Sequence, residues 1–207
     1  MYARSTTVQG DPQRIDEGIA YIRDDVMPAV QGMPGCMGLS MLCDRDTGRA
    51  IVTTSWDSEE SMSASREAVR AMREQATDVM GGQFDVQEWE VAVMHRAHNL
   101  GEGAWARVIF SNLQDVGRGD EVLDAWKTGV LPRLDEYDGF SSVSVMVDRA
   151  TGQGVTTVCF DDRGSMETSR EMGERMRDEF GSRMGVETTE MLDMEIAIHH
   201  LRVPELV

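Results

Sequence analysis

The most regular pattern along the chain is a stripe of apolar residues spaced by three or four positions. The stripe follows Asp11 and Pro12 and consists of Ile15, Ile19, Ile22, Val26 and Val30. This spacing places the five side chains on one face of a helix, which we expect to pack against a sheet. Aspartate is a good N-cap and proline suits the first turn. Pro28 lacks a backbone donor and should end or kink this helix.

Other segments alternate between apolar and polar residues, as half-buried strands do. We expect strands at 2–9, 37–43, 50–56 and 84–95. A second amphipathic helix follows Asp57 and turns Met62, Ser65, Val69 and Met72 inward. The order strand, helix, strand, strand, helix, strand predicts a ferredoxin-like βαββαβ unit.

The whole pattern occurs twice. DRDTGRAIVTTSWD at 44–57 matches DRATGQGVTTVCFD at 148–161, and MSASRE at 62–67 matches METSRE at 166–171. Self-similarity at a fixed period indicates a duplicated structural unit. The sequence therefore predicts two tandem units, residues 1–97 and residues 104–207, joined by a short glycine-containing linker.

The segments VTTSWDSEESMSASREA at 52–68 and QEWEVAVMH at 87–95 resemble the antibiotic biosynthesis monooxygenase domain of the dimeric α+β barrel superfamily. They match its third strand, second helix and last strand, and the resemblance covers the whole chain twice. Two chains of that family usually pair sheet to sheet. The resemblance thus implies an α+β fold in which two tandem ferredoxin-like βαββαβ units form an intramolecular dimeric α+β barrel, a pseudo-dimer.

The resemblance also suggests a function. Members of the family include oxygenases that act on polycyclic phenols without metal or flavin, which implies a cofactor-independent monooxygenase acting on a small aromatic compound in an intersheet cavity. A binding or sensing protein that uses the same cavity without catalysis is one alternative, and a haem binder is another. A haem-degrading branch carries a Trp and a His on the second helix. Ser65 and Gln75 lie near those positions here, so we expect no cofactor.

The charge of the chain narrows the set of partners. Its 37 acidic and 20 basic residues give a net charge of −17, which would repel a phosphate backbone or an anionic membrane. No apolar run approaches the roughly 18 residues of a membrane span, and the N-terminus lacks a secretory apolar region. We expect a cytoplasmic protein with free cysteines and no metal site. It should bind a small hydrophobic or aromatic ligand and act as a monomeric pseudo-dimer or a further homodimer.

No catalytic triad, metal motif or phosphate loop marks a catalytic residue. The candidates for the walls of the cavity are polar or aromatic side chains at strand positions, and many of them match across the repeat: Ser40, Trp56, Trp89, His95, Ser144, Phe160 and His200. Arg66 and Arg170 are candidate anchors for an anion. Core packing of the aromatic residues, solvated strand-end histidines and helix-surface ion pairs are the alternative interpretations.

Aromatic area is unevenly divided between the units. Trp56 and Trp89 in unit one correspond to Phe160 and Met194 in unit two. Stacking on an aromatic face adds about 0.5–1.5 kcal/mol beyond area burial. The sequence therefore predicts that a flat aromatic ligand prefers unit one.

Overall fold

A computed structural model describes residues 1–207. The elements of the first repeat are β1 (Tyr2–Gln9), α1 (Ile15–Tyr21), α2 (Met27–Gln31), β2 (Cys36–Asp44), β3 (Arg49–Trp56), α3 (Glu59–Ala64), α4 (Arg66–Met80) and β4 (Gln83–Arg96). Those of the second repeat are β5 (Trp105–Leu113), α5 (Gly119–Gly129), α6 (Leu131–Leu134), β6 (Phe140–Val147), β7 (Gln153–Phe160), α7 (Arg163–Thr168), α8 (Arg170–Met184) and β8 (Val186–Leu201). Each repeat thus has the predicted βαββαβ order, and the α+β class is confirmed.

The first helical segment of each repeat is interrupted near its proline, as predicted. A π-helical stretch, Ile22–Val26, separates α1 from α2, and Pro28 lies in the first turn of α2. In the second repeat α5 ends at Gly129, and Pro132 lies at the start of α6. Because proline cannot donate to the preceding turn, the helix has to rearrange at this point.

The chain divides into two compact units whose boundaries differ from the two sequence repeats. Unit one contains Met1–Trp89 and Glu195–Val203, and unit two contains Glu90–Met194 and Pro204–Val207. The difference arises from the last strands, β4 with 14 residues and β8 with 16. The second half of β8 pairs with β2, from Cys43–Glu195 to Gly38–Leu201. The second half of β4 pairs with β6, from Glu90–Val147 to Arg96–Ser142.

All these pairings are antiparallel. The hydrogen-bonded order is β1-β3-β2-β8 in unit one and β5-β7-β6-β4 in unit two. In unit one, β3 lies between β1 and β2, with Tyr2 opposite Trp56 and Asp44 opposite Arg49. In unit two, β7 lies between β5 and β6 in the same way. The register of the first repeat is therefore reproduced in the second.

Each unit has its own core between its helices and its sheet. In unit one Ile22, Val30, Leu39, Trp56 and Met80 are buried together. The core of unit two contains Trp126, Leu134, Val143, Phe160 and Met184. Burial of apolar area at roughly 25 cal/mol per Å² is the main stabilising contribution of such layers. No helix is long and apolar enough to cross a membrane.

Candidate functional site

Unit two contains a cavity of about 310 Å³. It lies between one face of the sheet and the helices α5 and α8. Its aromatic walls are Trp126, Tyr137, Phe160 and Phe180. Ligand pockets are typically about 300–1,000 Å³ and mostly apolar, with a few polar groups that fix orientation. This cavity has the size and the lining of a site for a small aromatic molecule.

The corresponding space in unit one is nearly filled, with about 50 Å³ left. Val69 projects into that space from α4, and its counterpart on α8 is Gly173. Trp56 of unit one is likewise replaced by the smaller Phe160. The cavity of unit two persists although Trp126 and Phe180 are larger than their counterparts Ile22 and Ala76. Small side chains at a few positions thus turn a packed core into a cavity.

A buried arginine lies at one end of this cavity. Arg107 on β5 is 3% exposed, and it donates through Nε to Oδ1 of Asp193 at 2.8 Å and through Nη2 to Oδ2 at 3.3 Å. Arg170 at the start of α8 donates to the same carboxylate. Burial raises the pKa of Asp193, but the hydrogen bonds and charges of Arg107 and Arg170 outweigh it, so the pKa is lowered. The carboxylate therefore stays ionised and fixes both arginines.

Unit one contains the same arrangement. Arg4 on β1 donates to Glu88 from Nε at 2.9 Å and from Nη2 at 2.8 Å, and Arg66 donates to both oxygens of Glu88. Arg4 also donates to Oγ of Ser65 at 2.9 Å and to the carbonyl oxygen of Met62 at 2.7 Å. The repeated hexapeptides MSASRE and METSRE therefore belong to an ion-pair cluster between the second helix and the sheet. The proposed anion anchors, Arg66 and Arg170, already bind carboxylates of their own chain.

Two further polar side chains reach the cavity of unit two. Arg177 lines it from α8, and its guanidinium forms neither an ion pair nor a hydrogen bond with another side chain. Burial and the neighbouring charge of Arg107 lower the pKa of Arg177. The hydroxyl of Tyr137 lies 4.0 Å from Sδ of Met176, and burial raises the pKa of this phenol. Both groups are hydrogen-bond donors turned toward a mostly apolar space.

The aromatic candidates from the sequence are divided between core and cavity. Phe160 lines the cavity. Trp56 is fully buried in the helix-packed core of unit one, where Nε1 donates to Oγ1 of Thr54 at 3.1 Å. Trp89 donates through Nε1 to Oγ of Ser5 at 2.8 Å. Trp56 is therefore not available as a stacking face on the helix side of unit one. The preference of a flat aromatic ligand for unit one stays a prediction.

The remaining candidates do not line the unit-two cavity. Ser40 on β2 is opposite Thr53, Ser144 on β6 is opposite Thr157, and His200 on β8 is opposite Leu39. His95 contacts Asp135 through Nε2 at 2.9 Å and Glu205 through Nδ1 at 3.2 Å. Their assignment as walls of an intersheet cavity stays a prediction.

Sequence reasoning missed Arg107, Arg177 and Tyr137. A signal for Arg107 was present, because Arg4 and Arg107 occupy the same place in the first strands of the two repeats, within YAR and WAR. Arg177 and Tyr137 gave no such signal, since their importance depends on the empty space beside them. No group of three His, Cys, Asp or Glu side chains is placed to hold a metal ion. Burial raises the pKa of the Cys43 thiol to about 11, which leaves it unreactive.

Comparisons with known proteins place the chain among relatives. No family profile matches it. It is 42% identical to Rv2557 of Mycobacterium tuberculosis over 207 residues, which cover 100% of this chain and 92% of that protein. It is 41% identical to Rv2558 of the same organism over 210 residues, with coverage of 100% and 88%. Neither name states an activity.

Solved structures share the fold at low identity. A proposed monooxygenase from Lactobacillus acidophilus superimposes with a TM-score of 0.70 at 9% identity, over 97% of this chain and 96% of that one. An anthrone oxidase-like protein gives 0.67 at 16% identity, over 96% and 91%. A ferredoxin-fold protein from Listeria monocytogenes, related to antibiotic biosynthesis monooxygenases, gives 0.55 at 10% identity, over 95% and 94%.

These low identities show a common fold and nothing further about chemistry. The sequence relationship to the mycobacterial proteins is much stronger and spans the entire chain. The chain therefore belongs to the family that contains Rv2557 and Rv2558.

Proposed function

We propose that this protein binds a small aromatic compound in the unit-two cavity and oxygenates it as a cofactor-independent monooxygenase. The cavity of about 310 Å³ between the sheet and helices α5 and α8 is the observation that carries the proposal. The resemblance to antibiotic biosynthesis monooxygenases supplies the reaction class. Its support is the fold shared with solved structures of a proposed monooxygenase and an anthrone oxidase-like protein. The cytoplasmic location stays a prediction.

The reaction we propose converts an activated methylene or ring carbon to a carbonyl. A CH₂ group and O₂ give C=O and H₂O: one oxygen atom forms the new carbonyl, and the other leaves as water with the two hydrogens. The electrons come from the substrate after it loses a proton to water. The side chains of the cavity have three tasks: they exclude solvent, orient the rings and stabilise the oxyanion.

The positive side chains suit the last of these tasks. Arg107 and Arg177 both line the cavity and their charges raise the electrostatic potential inside it. A phenol bound there loses its proton more readily than in water, because a nearby cation favours the anionic form. The phenolate is then the species that gives electrons to O₂.

A second candidate function is ligand binding without turnover. It is favoured by the absence of a free general base: no histidine lines the cavity. The two carboxylates at its edge are engaged, since Asp120 accepts from Nη1 of Arg149 at 2.8 Å and Asp148 accepts from Oγ1 of Thr151 at 2.7 Å. Turnover separates the two candidates.

The test is oxygen consumption with anthrone as the probe. For the enzyme we expect uptake of O₂ and formation of anthraquinone at rates well above those without protein. Gly173→Val should abolish the excess rate because it fills the cavity as Val69 fills unit one. Gly101→Val is the matched control, because Gly101 has nothing within 4 Å of its side-chain position. Binding of anthrone without O₂ uptake would favour the second candidate, and absence of binding would contradict both.

A further inference from the structure

One arginine of the unit-two cavity lacks a direct ion-pair partner. Two arginines, Arg107 and Arg170, share the single carboxylate of Asp193. A third arginine, Arg177, lines the same cavity and forms no ion pair. A partly buried guanidinium without an acceptor is costly, since each donor loses its hydrogen bonds to water. Glu174 and Asp178 act on Arg177 through their charges, but neither forms a hydrogen bond with it.

The first repeat shows how the chain itself can supply an acceptor for an arginine at this position. Arg73, the counterpart of Arg177, donates through Nε to Oγ1 of Thr6 at 3.1 Å. Unit two has Ile109 at the position of Thr6, and this side chain offers no acceptor. The second repeat has therefore kept the donor and lost its internal partner.

Unit two also has more free space beside Arg177 than unit one has at the equivalent position. A side-chain carbon on Gly173 would lie 3.3 Å from Nη1 of Arg177, so the guanidinium folds back over this glycine. In unit one Val69 occupies the equivalent volume. The space freed by Gly173 adjoins the unpaired donor, and a ligand atom can reach it.

Tyr137 supplies a second donor. Its counterpart in unit one is Met33, which has no donor. The Tyr137 hydroxyl meets only the thioether of Met176, a weak acceptor at 4.0 Å. Burial raises the pKa of this phenol, so it keeps its proton at neutral pH and can donate it.

From this arrangement we infer that Arg177 and Tyr137 bind an oxyanion, a carboxylate or a phenolate, on an aromatic ligand whose rings lie among Trp126, Phe160 and Phe180. The inference rests on the proposed use of the unit-two cavity and names the class of compound that enters it. The oxyanion replaces the acceptor that Thr6 provides in unit one. Hydrogen bonds to charged groups are the strong ones, which makes Arg177 a determinant of specificity.

Calorimetric titration with three matched probes tests this inference: 2-naphthoate, 2-naphthol and the neutral 2-naphthamide. The wild type should bind 2-naphthoate about tenfold or more tightly than 2-naphthamide. Arg177→Gln should remove that preference and leave 2-naphthamide binding nearly unchanged. If the natural ligand is a phenolate, 2-naphthol binding should strengthen with rising pH in the wild type and not in Arg177→Gln.

Two variants serve as controls. Arg73→Gln removes the repeat counterpart, and Arg175→Gln removes an exposed charge of the same helix that pairs with Glu171. Neither should alter the preference for 2-naphthoate. Equal affinities for 2-naphthoate and 2-naphthamide in the wild type would overturn the inference and leave the cavity proposal standing. If no probe binds the wild type, both proposals are overturned.

Discussion

Gly38 shows how much of the fold can depend on one residue. Strand β2 is irregular between Cys36 and Gly38, and Gly38 has φ of 137°. A side-chain carbon there would lie 2.1 Å from the carbonyl oxygen of His200 and 2.9 Å from Cα of Leu201. Both are backbone atoms of the paired strand β8, so they cannot rotate away as a flexible side chain could.

We predict that Gly38→Ala lowers the free energy of unfolding by about 2–4 kcal/mol, because strain at a left-handed position adds to a backbone clash. Gly32→Ala is the control. Gly32 has φ of −76° and its nearest neighbour would be 3.5 Å away, so the change should stay within about 0.5 kcal/mol. Urea unfolding followed by circular dichroism measures both. Equal effects would show that β8 does not approach Gly38 in this way.

Individual side chains are also where prediction from sequence reached its limit. The sequence identified Trp56 as a large aromatic at the end of a strand, and its burial could be anticipated as one alternative. Its direction could not, because consecutive residues of a strand face opposite sides and a nearby irregularity changes the count. The importance of Arg177 was invisible because it depends on Gly173, four residues away, and on Ile109 in another strand.

Among the elements, the short C-terminal segment has a defined attachment to β4. Leu206 and Met94 exchange backbone hydrogen bonds at 3.0 and 2.8 Å, and Glu205 accepts from the amide of Arg96 at 2.9 Å. His95 joins the same contact through Glu205 and stacks on Phe140 with ring centroids 6.2 Å apart. Two residues of the terminal segment, Glu205 and Leu206, are thereby held by three consecutive residues of β4.

The protonation of His95 should regulate this attachment. Burial lowers the pKa of His95, but the hydrogen bonds and charges of Asp135 and Glu205 outweigh it, so the folded pKa lies above the ordinary value of 6.5. A raised folded pKa means that protonation favours the folded state. The stabilisation is complete below pH 6.5 and is lost as the pH rises through the raised value.

We therefore predict that His95→Gln destabilises unit two at pH 5.5 and has a smaller effect at pH 9. Thermal unfolding of both proteins across this range gives the difference. Glu205→Gln removes one of the two carboxylate charges beside His95 and should partly reduce the pH dependence of the stability. A difference that stays constant with pH, or grows as the pH rises, would contradict the role assigned to His95.

The order of the elements was predictable from the sequence, and most strand ends were placed within about three residues. The prediction succeeded because hydrophobic periodicity is a local property of the sequence, and the repeat shows the same periodicity twice. Which segments of β4 and β8 join each compact unit was not predictable. The pairing of the second half of β4 with β6 depends on hydrogen bonds between residues far apart in the sequence. The alternating pattern of β4 would be the same with any partner strand, so it does not identify the partner.

At the scale of the whole chain, the two repeats have diverged in one respect that bears on function. Unit one keeps a filled core with about 50 Å³ of free space, and unit two keeps about 310 Å³. An empty cavity lowers stability because its lining loses dispersion contacts. Unit one has no comparable free space on this face of its sheet.

A ligand that occupies the unit-two cavity should therefore bind with a stoichiometry of one per chain, although the chain contains the repeat twice. Gly173→Val should abolish the binding of 2-naphthoate, because it restores the side chain that fills unit one. It should also raise the free energy of unfolding by about 0.5–1 kcal/mol, as cavity-filling changes commonly do. Opposite changes in binding and stability distinguish a filled cavity from a misfolded protein.

Calorimetric titration gives the stoichiometry, and urea unfolding gives the stability. Gly101→Val adds the same side chain in open space and should change neither quantity. Two bound ligands per chain would show that unit one, or another face of the sheet, also admits the probe. Unchanged binding in Gly173→Val would place the ligand away from the space beside Gly173.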